Sequence, residues 1–114
     1  MFHKKVDRNH SEIVEAFRTH PNVSVFSTAA LGDGVPDLIV GLDGITFLVE
    51  IKDGTKPPSK KKLNPLQQSW HKNWNGSEVR IVTSVSEAHQ FVENIRKARR
   101  VFSNPIHWAE DTST

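Results

Sequence analysis

The sequence predicts a mixed α/β domain, with helices packed on a four-stranded sheet in the order helix, three strands, helix, strand, helix. Three observations carry this reading. Apolar, β-branched runs flank the Asp43-Gly44 pair, the strongest short hairpin signal. Apolar residues recur at helical spacing in three other segments. Capping residues and a helix-starting proline mark where those helices begin.

The first helix is expected over Ser11–Thr19. Asn9 and Glu12 have capping-box spacing, and Ile13, Ala16, Phe17 and His20 fall on one face before Pro21. "VSVFS" (23–27) alternates as a strand does. "ALGDGVP" then reads as a loop, since two glycines and a proline surround one aspartate. "DLIVG" and "ITFLVEIK" form the hairpin. Their length of apolar run predicts central strands covered on both faces. Pro57-Pro58 forbids regular structure in the loop that follows. Asn64 caps a helix with Pro65 at its first position, and Leu66, Trp70 and Trp74 line its apolar face. "EVRIVTS" (78–84) is a fourth strand. Ser84 and Glu87 cap a last helix with the stripe Ala88, Phe91, Val92, Ile95. From Ser103 on, periodicity is lost and a tail is expected.

A chain of 114 residues fits one domain with a modest core. With 36% hydrophobic and 25% charged residues it reads as globular rather than disordered. No apolar run is long enough for a membrane span, and "MFHKKVDRNH" lacks the apolar segment of a signal peptide. The absence of cysteine excludes disulfides, thiolate metal sites and cysteine nucleophiles. A cytoplasmic protein is expected. Net charge is only +2, but lysines cluster in "KPPSKKK", a local patch suited to phosphate backbones.

A two-residue Asp43-Gly44 turn sets Leu42 opposite Ile45, Val40 opposite Phe47, and Asp37 opposite Glu50. A bulged turn would shift this register by one residue. Opposed like charges are destabilising, so a shared proton, a lysine or a metal cation must compensate. Lys52 lies two residues past Glu50 and therefore on the same face. Paired carboxylates without cysteine suit a hard cation, Mg²⁺ or Mn²⁺. The carbonyl of Ile51 is a further candidate ligand.

The segments "GVPDLIVG", "FLVEIKDG" and "LNPLQQSW" together resemble the PD-(D/E)XK nuclease superfamily. Within it they look most like the stand-alone VRR-NUC proteins of phages and bacteria, over roughly residues 9–92. The resemblance implies an αβββαβ(α) restriction-endonuclease-like core, a nuclease domain over 1–102 and a C-terminal tail over 103–114. It implies a metal-dependent DNA endonuclease resembling Holliday-junction resolvases and acting as a homodimer, in the host cytoplasm if phage-encoded. By motif, Asp37 and Glu50 would be metal ligands, Lys52 the catalytic lysine and Gln67 the helix glutamine beside them. The superfamily often adds an acid from the first helix. Glu12 is the preferred candidate here, with Glu15 and His10 the alternatives. Lys56, Lys60, Lys61 and Lys62 would bind the DNA backbone, and Lys72 and Arg80 are weaker candidates. Two other readings stay open: a flap- or nick-directed repair nuclease, and a non-catalytic DNA-binding module on the same fold.

Overall fold

The computed structural model describes residues 8–56 and 62–102. Helix α1 spans His10–Arg18, strand β1 Val23–Ser27, and a 3-10 turn Ala29–Leu31. Strands β2 (Leu38–Leu42) and β3 (Ile45–Ile51) follow, then α2 (Pro65–Asn73), β4 (Arg80–Val82) and α3 (Val85–Phe102). The strands lie in the order β1-β2-β3-β4. The first three pair antiparallel and β4 runs parallel to β3. This is the mixed four-stranded α/β architecture expected from the sequence. Among the described residues no helix is long and apolar enough to cross a membrane.

The hairpin turn has positive φ at both central residues, 51° at Asp43 and 88° at Gly44. That is the geometry of a two-residue type I′ turn, whose twist matches the strands it joins. Its register pairs Leu42 with Ile45, Val40 with Phe47 and Leu38 with Val49. The same alternation carries Asp37 to Glu50 just beyond the last ladder pair. The turn is fastened from outside: Arg96 on α3 donates from Nε to Asp43 Oδ2 at 3.0 Å and from its terminal nitrogen to Oδ1 at 3.2 Å. That forked pair holds the Asp43 carboxyl below the usual carboxylate range. Arg96 also donates to the carbonyl of Pro21.

One sheet face carries Leu38, Val40, Leu42, Phe47, Val49 and Ile51, all buried. Against it lie Ile13, Val14, Ala16 and Phe17 of α1 and Ala88 and Val92 of α3. Phe91 joins the layers, meeting Phe17 and Phe47 edge to face with ring centroids 6.0 and 5.0 Å away. The guanidinium of Arg80 lies over the Phe47 and Phe91 rings, 5.7 and 5.8 Å from their centroids, so its charge is engaged in packing. The other sheet face does not fit the expectation of double coverage. Phe26 (67% exposed) and Ile39 (36%) stay open. Among the described residues, α2 covers that face at the end holding Asp37 and Glu50.

Asn9 precedes α1 but makes no side-chain cap. Its amide instead donates to the carbonyls of Lys52 (3.3 Å) and Thr83 (2.9 Å), tying α1 to the ends of β3 and β4. The expected capping box at Asn9 and Glu12 is therefore absent: two backbone acceptors outcompete the local turn. At the α3 start Ser84 caps as expected, its Oγ accepting the Glu87 N–H, whereas the Glu87 carboxylate accepts from Thr83 N–H, one residue before the cap.

Between α1 and α3, His20 Nε2 lies 2.7 Å from His89 Nδ1. One ring must donate and the other accept, so at least one is neutral. Burial, His89 and Arg96 together lower the His20 pKa. A depressed histidine pKa means the unfolded chain binds more protons in this window, so stability rises with pH. The contribution is present above the unfolded value of 6.5 and lost as pH falls through the folded value. The urea midpoint is expected to drop between about pH 7.5 and about pH 5.5, and part of that drop to disappear in His20→Ala.

Candidate active site

The site begins with the alternation of β3. Glu50 and Lys52 point to the face away from the helical core, whereas Ile51 points into it. Lys52 follows the end of β3, yet its N–H still bonds the Val82 carbonyl at 3.1 Å, and Gly54 N–H bonds Thr83 in the same way. Asn9 holds the Lys52 carbonyl from the other side. The backbone under the lysine is thus fixed on both sides.

Asp37 is delivered by the loop that enters β2. Its carbonyl accepts the Thr28 N–H at 2.7 Å. Its Oδ2 accepts the Ile51 backbone N–H at 2.8 Å. The Ile51 amide therefore anchors the aspartate across the hairpin, next to Glu50.

Gln67 completes the group. It is 3% exposed and is the buried residue of α2. Its Nε2 donates to Glu50 Oε2 at 2.7 Å, and its Oε1 accepts from Lys52 Nζ at 2.8 Å. The same Oε1 accepts the Asn64 N–H at 2.9 Å, while Asn64 Oδ1 accepts the Gln67 N–H at 2.9 Å. One side chain thus closes a capping box and bridges a carboxylate to an ammonium. Both lone pairs of Oε1 are used, so the amide orientation is set by its partners. Asp37, Glu50, Lys52 and Gln67 are all buried.

His71, one turn beyond Gln67, faces the same region. Burial, with a smaller contribution from the Lys52 charge, lowers its pKa and so favours the neutral ring. The approach of α2 to the Asp37 loop requires Gly34. Its φ is 84°, and a Cβ there would lie 2.3 Å from the Leu66 carbonyl oxygen. Hence the glycine three residues before Asp37 sets how closely α2 can seat.

The other sequence candidates separate. Glu12 is exposed and is not brought to the carboxylate pair. It borders a cavity of about 290 Å³ with Arg8, Asn9, Asp53 and Thr55. The physical reason is side: α1 packs on the core face of the sheet, opposite to Glu50. Glu15 is exposed and pairs with Arg18 at 3.7 Å. His10 lies 3.4 Å from Ser27 Oγ at the helix start. Lys62 and Lys72 are exposed and Lys56 is half-buried. Lys60 and Lys61 lie outside the described residues.

The apolar stripe expected to pack α2 is not its packed face. Leu66 is 60% and Trp74 42% exposed, whereas Gln67 is buried. Successive positions rotate by about 100°, so Gln67 and His71 lie on the arc next to the stripe. The helix turns that polar arc to the site because Glu50 and Lys52 require hydrogen-bond partners there. The roles of Asn9 and His71 escaped the sequence reading, and Gly34 entered it only within a motif. The first looked like a cap. The second is an ordinary helix histidine by spacing. Only Gly34 carried a signal, as part of the motif before Asp37.

The fold resembles that of a known domain. The chain is similar to a solved structure described as a VRR_NUC domain, with 26% identity and a TM-score of 0.55. The match covers 75% of this chain and 91% of that one. No family model matches the chain, and no curated protein does.

Gly34→Ala is expected to destabilise the fold by at least about 1–2 kcal/mol from the left-handed backbone alone, with the Leu66 clash in addition. A lowered midpoint in urea denaturation checks this.

Proposed function

We propose that the protein is a divalent-metal-dependent, structure-selective endonuclease that hydrolyses phosphodiester bonds in branched DNA such as a Holliday junction. The observation that carries this reading is the buried network of Asp37, Glu50, Lys52 and Gln67 at one end of the hairpin. Burying ionised groups costs several kcal/mol each. A module that merely bound DNA would gain nothing from burying them. The likeness to a VRR_NUC domain supports the same class.

The donor set fits a hard cation, since it offers carboxylate and backbone oxygens and no sulfur. Among the described residues no three Asp, Glu, His or Cys side chains are grouped to hold a metal. Mg²⁺ does not require such a cage, because it commonly binds through one or two carboxylates and keeps several waters. Asp37, Glu50 and the Ile51 carbonyl would hold it. When bound, the ion polarises a phosphoryl oxygen and acidifies a water.

The chain's own residues do the rest. The Ile51 amide orients the Asp37 carboxylate. Gln67 keeps Glu50 and Lys52 apart at fixed hydrogen-bond distances. Lys52 presents a positive charge where negative charge develops on the phosphoryl group, in a place already shielded from bulk water. Lys56, Lys60, Lys61, Lys62 and Lys72 would contact phosphates and position the duplex without reading its sequence. Symmetric cutting of a four-way junction needs two sites related by a two-fold axis, hence a homodimer.

The test is cleavage of a four-way junction, a flap and a plain duplex in Mg²⁺ or Mn²⁺. The wild type is expected to cut the junction, and Asp37→Asn and Lys52→Ala each to cut at least about 100-fold more slowly. A wild type that cuts nothing, or either variant cutting as fast as wild type, contradicts the proposal. Preference for the flap would retain the chemistry and replace the substrate.

A further inference from the structure

Helix α2 leaves an aromatic surface open beside the site. Trp70 and Trp74 stack with centroids 4.9 Å apart and planes 17° from parallel. Trp74 is pinned by its indole N–H, which donates to the Ser77 carbonyl at 3.0 Å. Its ring is therefore held in one orientation while 42% of the residue remains exposed. Next to the pair lies a cavity of about 400 Å³, lined by Leu66, Trp70 and Trp74 and edged by Asp33, Ser69 and Asn73. The floor is flat and apolar, and the rim is polar.

We propose that this is a stacking subsite for one unpaired nucleobase of the DNA substrate, a reading that rests on the nuclease function above. A nucleobase has what the surface asks for: a π-face for the indoles and donor and acceptor groups along one edge. Asp33 accepts hydrogen bonds, Asn73 donates and accepts, and Ser69 does both. A paired base stacked in a duplex offers neither a free face nor a free pairing edge, so the occupant must be unpaired. Lys62 precedes α2 and Lys72 lies on it, both exposed. Neither borders the cavity, whose one charged lining residue is Asp33. Gln67 sits on the same helix, bonded to Glu50. The subsite would therefore read the presence of an unpaired nucleotide next to the phosphate being cut. That gives selectivity for branched or frayed DNA without base-sequence readout.

The experiment compares binding of a blunt duplex and of the same duplex with a short thymidine overhang, with chelator present to prevent cutting. The wild type is expected to prefer the overhang by on the order of tenfold. In Trp74→Ala that ratio is expected to fall to near one, and in Trp74→Phe, which keeps a ring, to be largely retained. Circular dichroism confirms that each variant is folded. The proposal is overturned if wild type binds both DNAs equally, or if Trp74→Ala keeps the preference. It is also overturned if sedimentation shows a dimer that Trp74→Ala splits, since the surface would then seat a second copy of the chain. Absence of binding to either DNA would instead overturn the nuclease reading itself.

Discussion

A single amide, that of Gln67, stands between an ammonium and a carboxylate, and the site is organised around it. Glu50 and Lys52 share one face of a strand and are both buried. Each needs polar partners at that depth, or its burial would cost several kcal/mol. Gln67 supplies one to each, donating to Glu50 and accepting from Lys52. Because its oxygen also closes the α2 capping box, the residue that starts the helix is the residue that spaces the charges. Seating α2 and setting the site are one event, and Gly34 permits it by yielding the room a Cβ would fill.

The rest of the fold holds the floor still. The type I′ turn sets the register that brings Asp37 opposite Glu50, and Arg96 clamps that turn to α3. The Ile51 amide and the parallel ladder to β4 fix the two ends from which the functional groups project. Apolar packing occupies one face of the sheet, leaving the other for chemistry. That division explains why the Glu50 face holds exposed Phe26 and Ile39 alongside buried charges.

Much of this was legible in the sequence because it depends on local rules. Asp43-Gly44 between β-branched runs implies the turn, the turn implies the register, and the register implies the carboxylate pair. What was not legible depends on which face of an element meets which other element. Leu66, Trp70 and Trp74 looked like a packing stripe, yet hydrogen-bond demand from Glu50 and Lys52 rotated the helix to bury Gln67 instead. Glu12 had suitable chemistry but sits on the side of the sheet where α1 packs. Asn9 looked like a cap, and nothing local reveals that its amide crosses to Lys52 and Thr83.

A consistent account of function follows from these placements. In the proposed function, the buried, pre-positioned acids and lysine would serve phosphodiester hydrolysis, surface lysines would hold the backbone, and the open indoles would sense an unpaired base. In this reading the Gln67 amide sets the working geometry of Glu50 and Lys52. Single-turnover cleavage by Gln67→Met, which keeps the side-chain length without the amide, tests it most directly. The variant is expected to fold and to cut about 10- to 100-fold more slowly than wild type. Cleavage at the wild-type rate would contradict it.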